Sequence, residues 1–462
     1  MLIAYWQYTI MRNSFTRLSA LLVALVLVLA ACGGDSSGGD TTASPETTAS
    51  GASTDTEPDS TTATTAAAAA ATDTTESGGE RGSDATQGVT DDTIKIGVFA
   101  PYSGDAAVYS KAANLAEAMY NQINEEGGIN GRQIEVITVD SACDATSVSA
   151  LIRRFVEQDQ VFMIHGGSCS NAIVAAKPLI EELGVPFLSM NAASPIISDP
   201  PLRNLFHPKP TAEEYSIGVA EFIASNPEAE TTAIVAQSDE WGQSWVPPTQ
   251  ETLEAEGLNV AAVEDMEPEV GDATPVIRRA LSVDTDMLAV YAYPQPMTVF
   301  LRGARPQGLT QPIVTGDGTR PDEQFDRLGD RSLAENFFSA YAFTEPFDSP
   351  TFDDLQTLFE SEYSNLEWDS VAIEGAVSTE FNLAVLEELG DDLTWENWIT
   401  TAETLEMDTL VGGPMSFGVF DPNDKTTRRP GSTVRFSALD PTTTGSETVV
   451  IENWDEWLAL QP

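Results

Sequence analysis

The sequence predicts an α/β protein made of two Rossmann-like, doubly wound lobes, and three observations carry that expectation. Buried-strand patterns alternate with helical stripes through most of the chain, which implies right-handed crossovers and parallel sheets. The alternation restarts after Pro208 and Pro210. The chain has 462 residues, more than one hydrophobic core of roughly 250–300 residues usually organises, so two folded units are expected.

The elements follow in order. Ile94 to Ala100 reads as a buried strand, and Ala112, Leu115, Ala116, Met119, Tyr120 and Ile123 form a helical stripe closed by Gly127-Gly128. Ile134 to Val139 is the next strand, Val148, Leu151, Ile152, Phe155 and Val156 mark a helix, and Val161 to Ile164 a third strand. Helix Ala172 to Leu183 and strand Val185 to Met190 complete the first series. The second series has helix Ala212 to Ser225, strand Thr232 to Ala236, helix Ser244 to Glu256, strand Leu258 to Val263 and helix Thr274 to Leu281. Strand Met287 to Tyr291, helix Met297 to Gln307 and strand Ile313 to Thr315 continue it. Open parallel sheets bind ligands beyond the carboxyl ends of their strands, so a site is expected in the loops after Ala100, Ile164, Met190, Ala236, Tyr291 and Thr315.

Composition narrows the function. There are 72 acidic side chains against 22 basic ones, a formal charge of −50. Such a surface repels a polyanion, so nucleic acid is excluded as a partner. Three cysteines and two histidines leave little for a metal cluster. No loop carries GxGxxG or a P-loop, and there is no HExxH, no GxSxG and no aligned Ser/His/Asp set. Neither a cofactor nor catalysis is expected.

The first 31 residues read as an export signal. Arg12 and Arg17 precede the apolar run Leu18 to Leu29, followed by Ala30-Ala31-Cys32-Gly33, which is a basic region, a short apolar core and a small-residue cleavage zone. Met11 sits where such a signal normally begins, so residues 1–10 read as a mis-assigned start. Leu29-Ala30-Ala31-Cys32 resembles the bacterial lipobox, which implies that Cys32 carries a diacylglycerol anchor and that the protein is extracytoplasmic. Residues 32 to 91 then form a tether, since Gly33 to about Thr90 is almost all Thr, Ser, Ala, Gly and Asp and cannot bury enough surface to offset its ordering entropy. As a flexible coil it reaches roughly 40 Å.

Several segments of the globular part, taken in this order, resemble one family. They are Ile94-Lys95-Ile96-Gly97 leading to Tyr102-Ser103-Gly104, the run Ile123 to Gly131 (INEEGGING), and Asp140-Ser141-Ala142-Cys143-Asp144. The family is the branched-chain amino-acid substrate-binding proteins of ABC transporters, which have the type I periplasmic binding protein fold, and the similarity spans roughly residues 92 to 445. It implies two lobes joined by a three-strand hinge, with crossings near Pro208, Phe343 and Arg429. Lobe one then comprises 92–209 and 342–428, including helices Thr351 to Tyr363 and Val371 to Leu389. Lobe two comprises 210–341 and 429–462. Function follows as capture of a small solute, an amino acid of the branched-chain type, by a monomer that delivers it to a permease and ATPase. An amide, urea or aromatic-acid ligand is the alternative, and a ligand-sensing receptor component a further one.

Cys143 and Cys169 leave two readings open from the residues alone: a disulfide, favoured outside the cytoplasm, or a nucleophile with His165 four residues upstream. The resemblance implies the disulfide. It also implies a set of ligand contacts. Ser170 matches the serine that receives the ligand's carboxylate, and Asn191 a position that works through its carbonyl. Ala193 falls where relatives have a threonine, a departure that Ser194 would repair with a one-residue shift. Asp317, in Gly316-Asp317-Gly318, matches the acid that pairs with the ligand's ammonium. Tyr109 and Trp241 match aromatic walls from the two lobes, with Tyr291 and Tyr293 as further aromatic candidates. Each has a plainer alternative, as a loop serine, a turn-forming aspartate or hinge-side core.

Overall fold

The computed structural model describes residues 86–104, 106–343, 350–409, 413–430 and 434–462. The export signal, Cys32 and the tether up to residue 85 lie outside the described residues. The tether's expected last six residues, 86 to 91, do not behave as one. Gln87 donates to the carbonyls of Val156 and Val161 at 3.1 and 3.0 Å, and Val89 bridges Ile94. A side-chain amide, rather than apolar burial, fixes this entry, which is why a composition argument missed it.

The first sheet contains β1 (Thr93–Ala100), β2 (Gln133–Asp140), β3 (Met163–Gly166), β4 (Phe187–Ser189) and β5 (Leu205–Phe206), in the spatial order β2-β1-β3-β4-β5. All its pairings are parallel. Helices α1 (Ser110–Glu125), α2 (Ala145–Arg154) and α3 (Ser170–Leu183) make the crossovers. Both faces of this sheet are covered, so β1 is buried without interruption from Ile96 to Ala100 and β3 along its whole length.

After β5 the chain crosses to α4 (Ala212–Ala224), whose start is fixed by a capping box between Thr211 and Glu214. There follow β6 (Thr231–Gln237), α5 (Glu240–Ala255), β7 (Asn259–Met266), α6 (Thr274–Ala280), β8 (Met287–Tyr291), α7 (Pro294–Ala304), β9 (Ile313–Thr315), α8 (Pro321–Leu328), α9 (Arg331–Ala334) and β10 (Phe337–Tyr341). Next come α10 (Pro350–Glu362), α11 (Ser370–Leu389) and α12 (Trp395–Thr404), the hairpin β11 (Glu406–Thr409) and β12 (Gly413–Ser416), then β13 (Arg435–Leu439), β14 (Thr448–Ile451) and α13 (Trp454–Leu460). The second sheet runs β14-β13-β10-β9-β8-β6-β7. It is mixed rather than wholly parallel, since β13 pairs antiparallel with β10 and β14 with β13. An antiparallel edge needs no crossover helix, so the strand–helix rhythm could not reveal it.

Helices α10 and α11 pack on α1 of the first sheet. Gly375 makes this possible, because a Cβ there would collide with the carbonyl of Ala112. A buried polar chain ties the layer together. His165 on β3 bonds Tyr120 of α1 and Ser378 of α11, each at 2.8 Å. Asn382 donates to Tyr120, and Trp398 of α12 donates to Asn382. The imidazole is therefore a structural joint rather than the base of a cysteine nucleophile.

Burial lowers the His165 pKa to about 3, against about 6.5 in an unfolded chain. Between those values the unfolded chain binds a proton that the folded one refuses, so this contribution is intact above pH 6.5 and is lost as pH falls. Urea titrations of wild type and His165→Gln from pH 7 to 4.5 are expected to diverge progressively, the difference in slope approaching about 1.4 kcal/mol per pH unit at the acidic end. Equal slopes would show that His165 titrates normally in the fold.

Candidate functional site

Strand order reverses between β1 and β3 in the first sheet and between β6 and β8 in the second, and open sheets bind ligands at such switch points. The loops there bring Tyr109, Ser170, Trp241 and Tyr293 to one cavity of about 350 Å³. Asn191, Ala193, Lys209, Asp239, Glu240, Asp317 and Glu374 also line it. The lining thus comes from both sheets' loops, from a crossing segment and from α11.

From the first lobe, Tyr109 ends a 3₁₀ turn ahead of α1, and its carbonyl accepts from Ser168. Cys143 and Cys169 form a disulfide, Cα–Cα 5.5 Å, which joins the loop after β2 to the start of α3. Ser170 opens α3, and its Oγ accepts from the backbone N–H of Ser194 at 3.1 Å. The N-terminal turn of a helix offers free N–H donors to a carboxylate. Ala193 brings no hydroxyl, and Ser194 does not restore one to the lining. It is fully buried, and its Oγ donates to Glu240 across the cleft at 2.6 Å.

From the second lobe, Asp239 caps α5 by accepting from Gly242 at 2.9 Å. This places Glu240 and Trp241 on the first turn. Gln237 at the end of β6 accepts the backbone N–H of Tyr293 at 2.5 Å, setting that loop beside α5. The rings of Trp241 and Tyr293 lie 4.6 Å apart, and Tyr109 meets Tyr293 edge-on at 5.5 Å. Tyr291 is a correction to the expected set. It is fully buried, stacks on Trp245 and bonds Thr249, so it belongs to the core beneath the site, whereas Tyr293 faces the cavity. The glycines beside Asp317 also serve the fold. A Cβ at Gly316 would strike the ring of Trp245, and Gly318 sits at φ +81°.

The sequence reading missed the central feature. Lys209, between the two prolines of the first crossing, pairs with Asp317 and, at 2.7 Å, with Glu374 of α11. Its side chain is 12% exposed. Burial opposes the lysine's charge, but the two carboxylates outweigh it and hold the ammonium above the usual lysine range. Burial pushes the Glu374 carboxyl up, against the pull of Lys209. A signal existed in the lysine's place between Pro208 and Pro210, but only tertiary packing reveals its partners. Asp239 and Glu240 were also missed. Behind the triad, Pro208, Pro210, Ala342, Phe343 and Pro430 line a small cavity of about 60 Å³, so segments from all three expected crossings meet there. Among the described residues, no group of three or more His, Cys, Asp or Glu is arranged to hold a metal ion. No helix among them is long and apolar enough to cross a membrane.

Residues 93–440 match the family model described as Periplasmic binding protein, and the chain belongs to that family. It is 26% identical over 249 residues to the leucine-, isoleucine-, valine-, threonine- and alanine-binding protein of Pseudomonas aeruginosa, covering 54% of this chain and 66% of that one. Leu/Ile/Val-binding protein homolog 7 of Brucella abortus is 24% identical over 234 residues, 49% of this chain and 58% of the relative. The chain thus spans less than two thirds of these curated relatives. Among solved structures, the substrate-binding protein LivJ of Streptococcus pneumoniae, in complex with isoleucine, superposes with a TM-score of 0.65 at 20% identity, covering 78% of this chain and 99% of LivJ. A solute-binding protein from R. palustris, in complex with 4-hydroxybenzoate, gives 0.65 at 20% identity, covering 78% and 95%. The fold is that of type I periplasmic binding proteins.

Removing the lysine tests the triad. Lys209→Met strands two buried carboxylates and is expected to cost about 3 kcal/mol or more. Adding Asp317→Asn and Glu374→Gln to it is expected to recover much of the loss. Urea midpoints at constant m-value measure both, and a single variant within about 0.5 kcal/mol of wild type, the scale of an ordinary surface change, would contradict the assignment.

Proposed function

We propose that the protein is an extracytoplasmic solute-binding lipoprotein. It captures a small polar ligand, an amino acid in the first instance, between its lobes and passes it unaltered to the permease and ATPase of an ABC importer. The observation that carries this reading is a cavity of about 350 Å³ lined from both lobes at both switch points. Contacts made to both lobes exist only when the cleft is closed, so a ligand shifts the population toward closure. Closure is then the signal that the permease reads. In this reading the protein acts as a monomer, Cys32 anchors it and the tether holds it off the membrane.

The site residues take the following roles. The hydroxyl of Ser170 and the first N–H groups of α3 receive a carboxylate, while Asn191 and Ala193 bound that end. Tyr109, Trp241 and Tyr293 supply apolar faces from both lobes, which desolvate the ligand on closure. No group among the described lining residues is arranged as a nucleophile beside a base, and the reading involves no chemistry on the solute. An aromatic acid is the second reading, favoured by the missing hydroxyl at Ala193 and by the commitment of Ser194 to Glu240.

A thermal-shift panel of amino acids, amides and small aromatic acids tests this. A true ligand at ~1,000 times its Kd adds about 4 kcal/mol, which is expected to raise the melting temperature by several degrees. The solute should be recovered chemically unchanged. A flat panel, or a transformed solute, would contradict the proposal.

A further inference from the structure

Asp317, the expected partner of a ligand's ammonium, already has a cation. Lys209 sits between it and Glu374, with side-chain exposures of 12, 8 and 10% for the three groups. A ligand ammonium placed there would have to displace a buried lysine and leave it unpaired, which is costly. That subsite therefore already holds its own cation.

Another part of the lining is built differently. Asp239 and Glu240 line it, and no ion pair reaches either among the described residues. Lys209 is the single basic side chain among the lining residues described. Asp239 is held by Gly242 and Gln237. Glu240 accepts the hydroxyl of Ser194 through Oε1, while its Oε2 is buried with no hydrogen-bond partner. Beside these carboxylates stand the rings of Trp241, Tyr293 and Tyr109, at centroid separations of 4.6 and 5.5 Å. Aromatic faces attract cations, the more so when both are desolvated. An unmatched carboxylate oxygen, a second carboxylate next to it and an aromatic wall together define a cation's environment.

We infer that the ligand carries an organic cation other than an α-ammonium, an amine, quaternary ammonium or guanidinium group, which binds between Glu240, Asp239 and the Trp241–Tyr293 wall rather than at Asp317. This rests on the solute-binding reading and sharpens it. The preferred solute is an amine or basic amino acid, and Glu240 is the residue that sets this preference. Burial, reinforced by Asp239, already pushes the Glu240 carboxyl above its ordinary range, against the pull of the Ser194 hydroxyl. A ligand cation would relieve that penalty.

Calorimetry with matched pairs tests it: lysine against norleucine, arginine against citrulline, and choline against 3,3-dimethylbutanol, with leucine and 4-hydroxybenzoate alongside. At least one cationic member is expected to bind ten-fold or more tightly than its neutral partner. Glu240→Gln, which keeps the shape and the Ser194 contact, is expected to erase that preference, and Trp241→Leu to weaken the cation at least ten-fold. Circular dichroism checks that both variants fold. Neutral members binding as well as or better than cationic ones would overturn the inference while leaving the solute-binding reading intact. A preference that survives Glu240→Gln would also overturn it, since it would reflect only accumulation of cations around a chain of charge −50. Failure of every solute, leucine and 4-hydroxybenzoate included, would overturn both.

Discussion

The buried ion triad of Lys209, Asp317 and Glu374 is the constraint on which the rest of the site depends. It joins a crossing segment, the loop after β9 in the second sheet and α11, which packs on the first lobe. In a chain with 72 acidic and 22 basic side chains, bases are scarce and their placement matters. Two other crossing-segment residues follow the same logic. Arg429 pairs with Glu213 and Glu214 and donates to Thr211, and Arg428 pairs with Glu403 at 2.5 Å while covering the ring of Phe206. Cations concentrated where the segments meet offset the carboxylate repulsion there.

From that meeting point the cavity follows from topology. Two sheets, each with a strand-order reversal, direct their switch-point loops toward each other, and the first turns of α3 and α5 deliver Ser170 and Glu240. The disulfide between Cys143 and Cys169 fastens one rim, while the Glu240–Ser194 bond crosses the cleft to the other lobe. The proposed capture of a solute requires this kind of two-sided lining.

Much of this architecture was legible in the sequence because it rests on apolar periodicity. Strands Met287–Tyr291 and Ile313–Thr315 coincide with their expected limits, and the stripe from Ala112 to Ile123 marks α1. What was not legible has physical reasons. The two-residue β5 is too short to show a period, and the antiparallel edge formed by β13 and β14 breaks the rhythm of crossovers. The start of α5 at Glu240, rather than Ser244, depends on Asp239 as a cap. The cavity residues taken from the family resemblance, Tyr109, Ser170, Asn191, Ala193, Trp241 and Asp317, come together, whereas Tyr291 lies in the core. Lys209 and Glu374 are separated by 165 residues, so only the fold could pair them.

Closure of two lobes about a solute is most directly measured by small-angle X-ray scattering on the intact protein, with and without a solute that raises its melting temperature. Hinged capture predicts a smaller radius of gyration and a shorter maximum dimension at saturation, reversing on dialysis. Superimposable curves at full occupancy would contradict it.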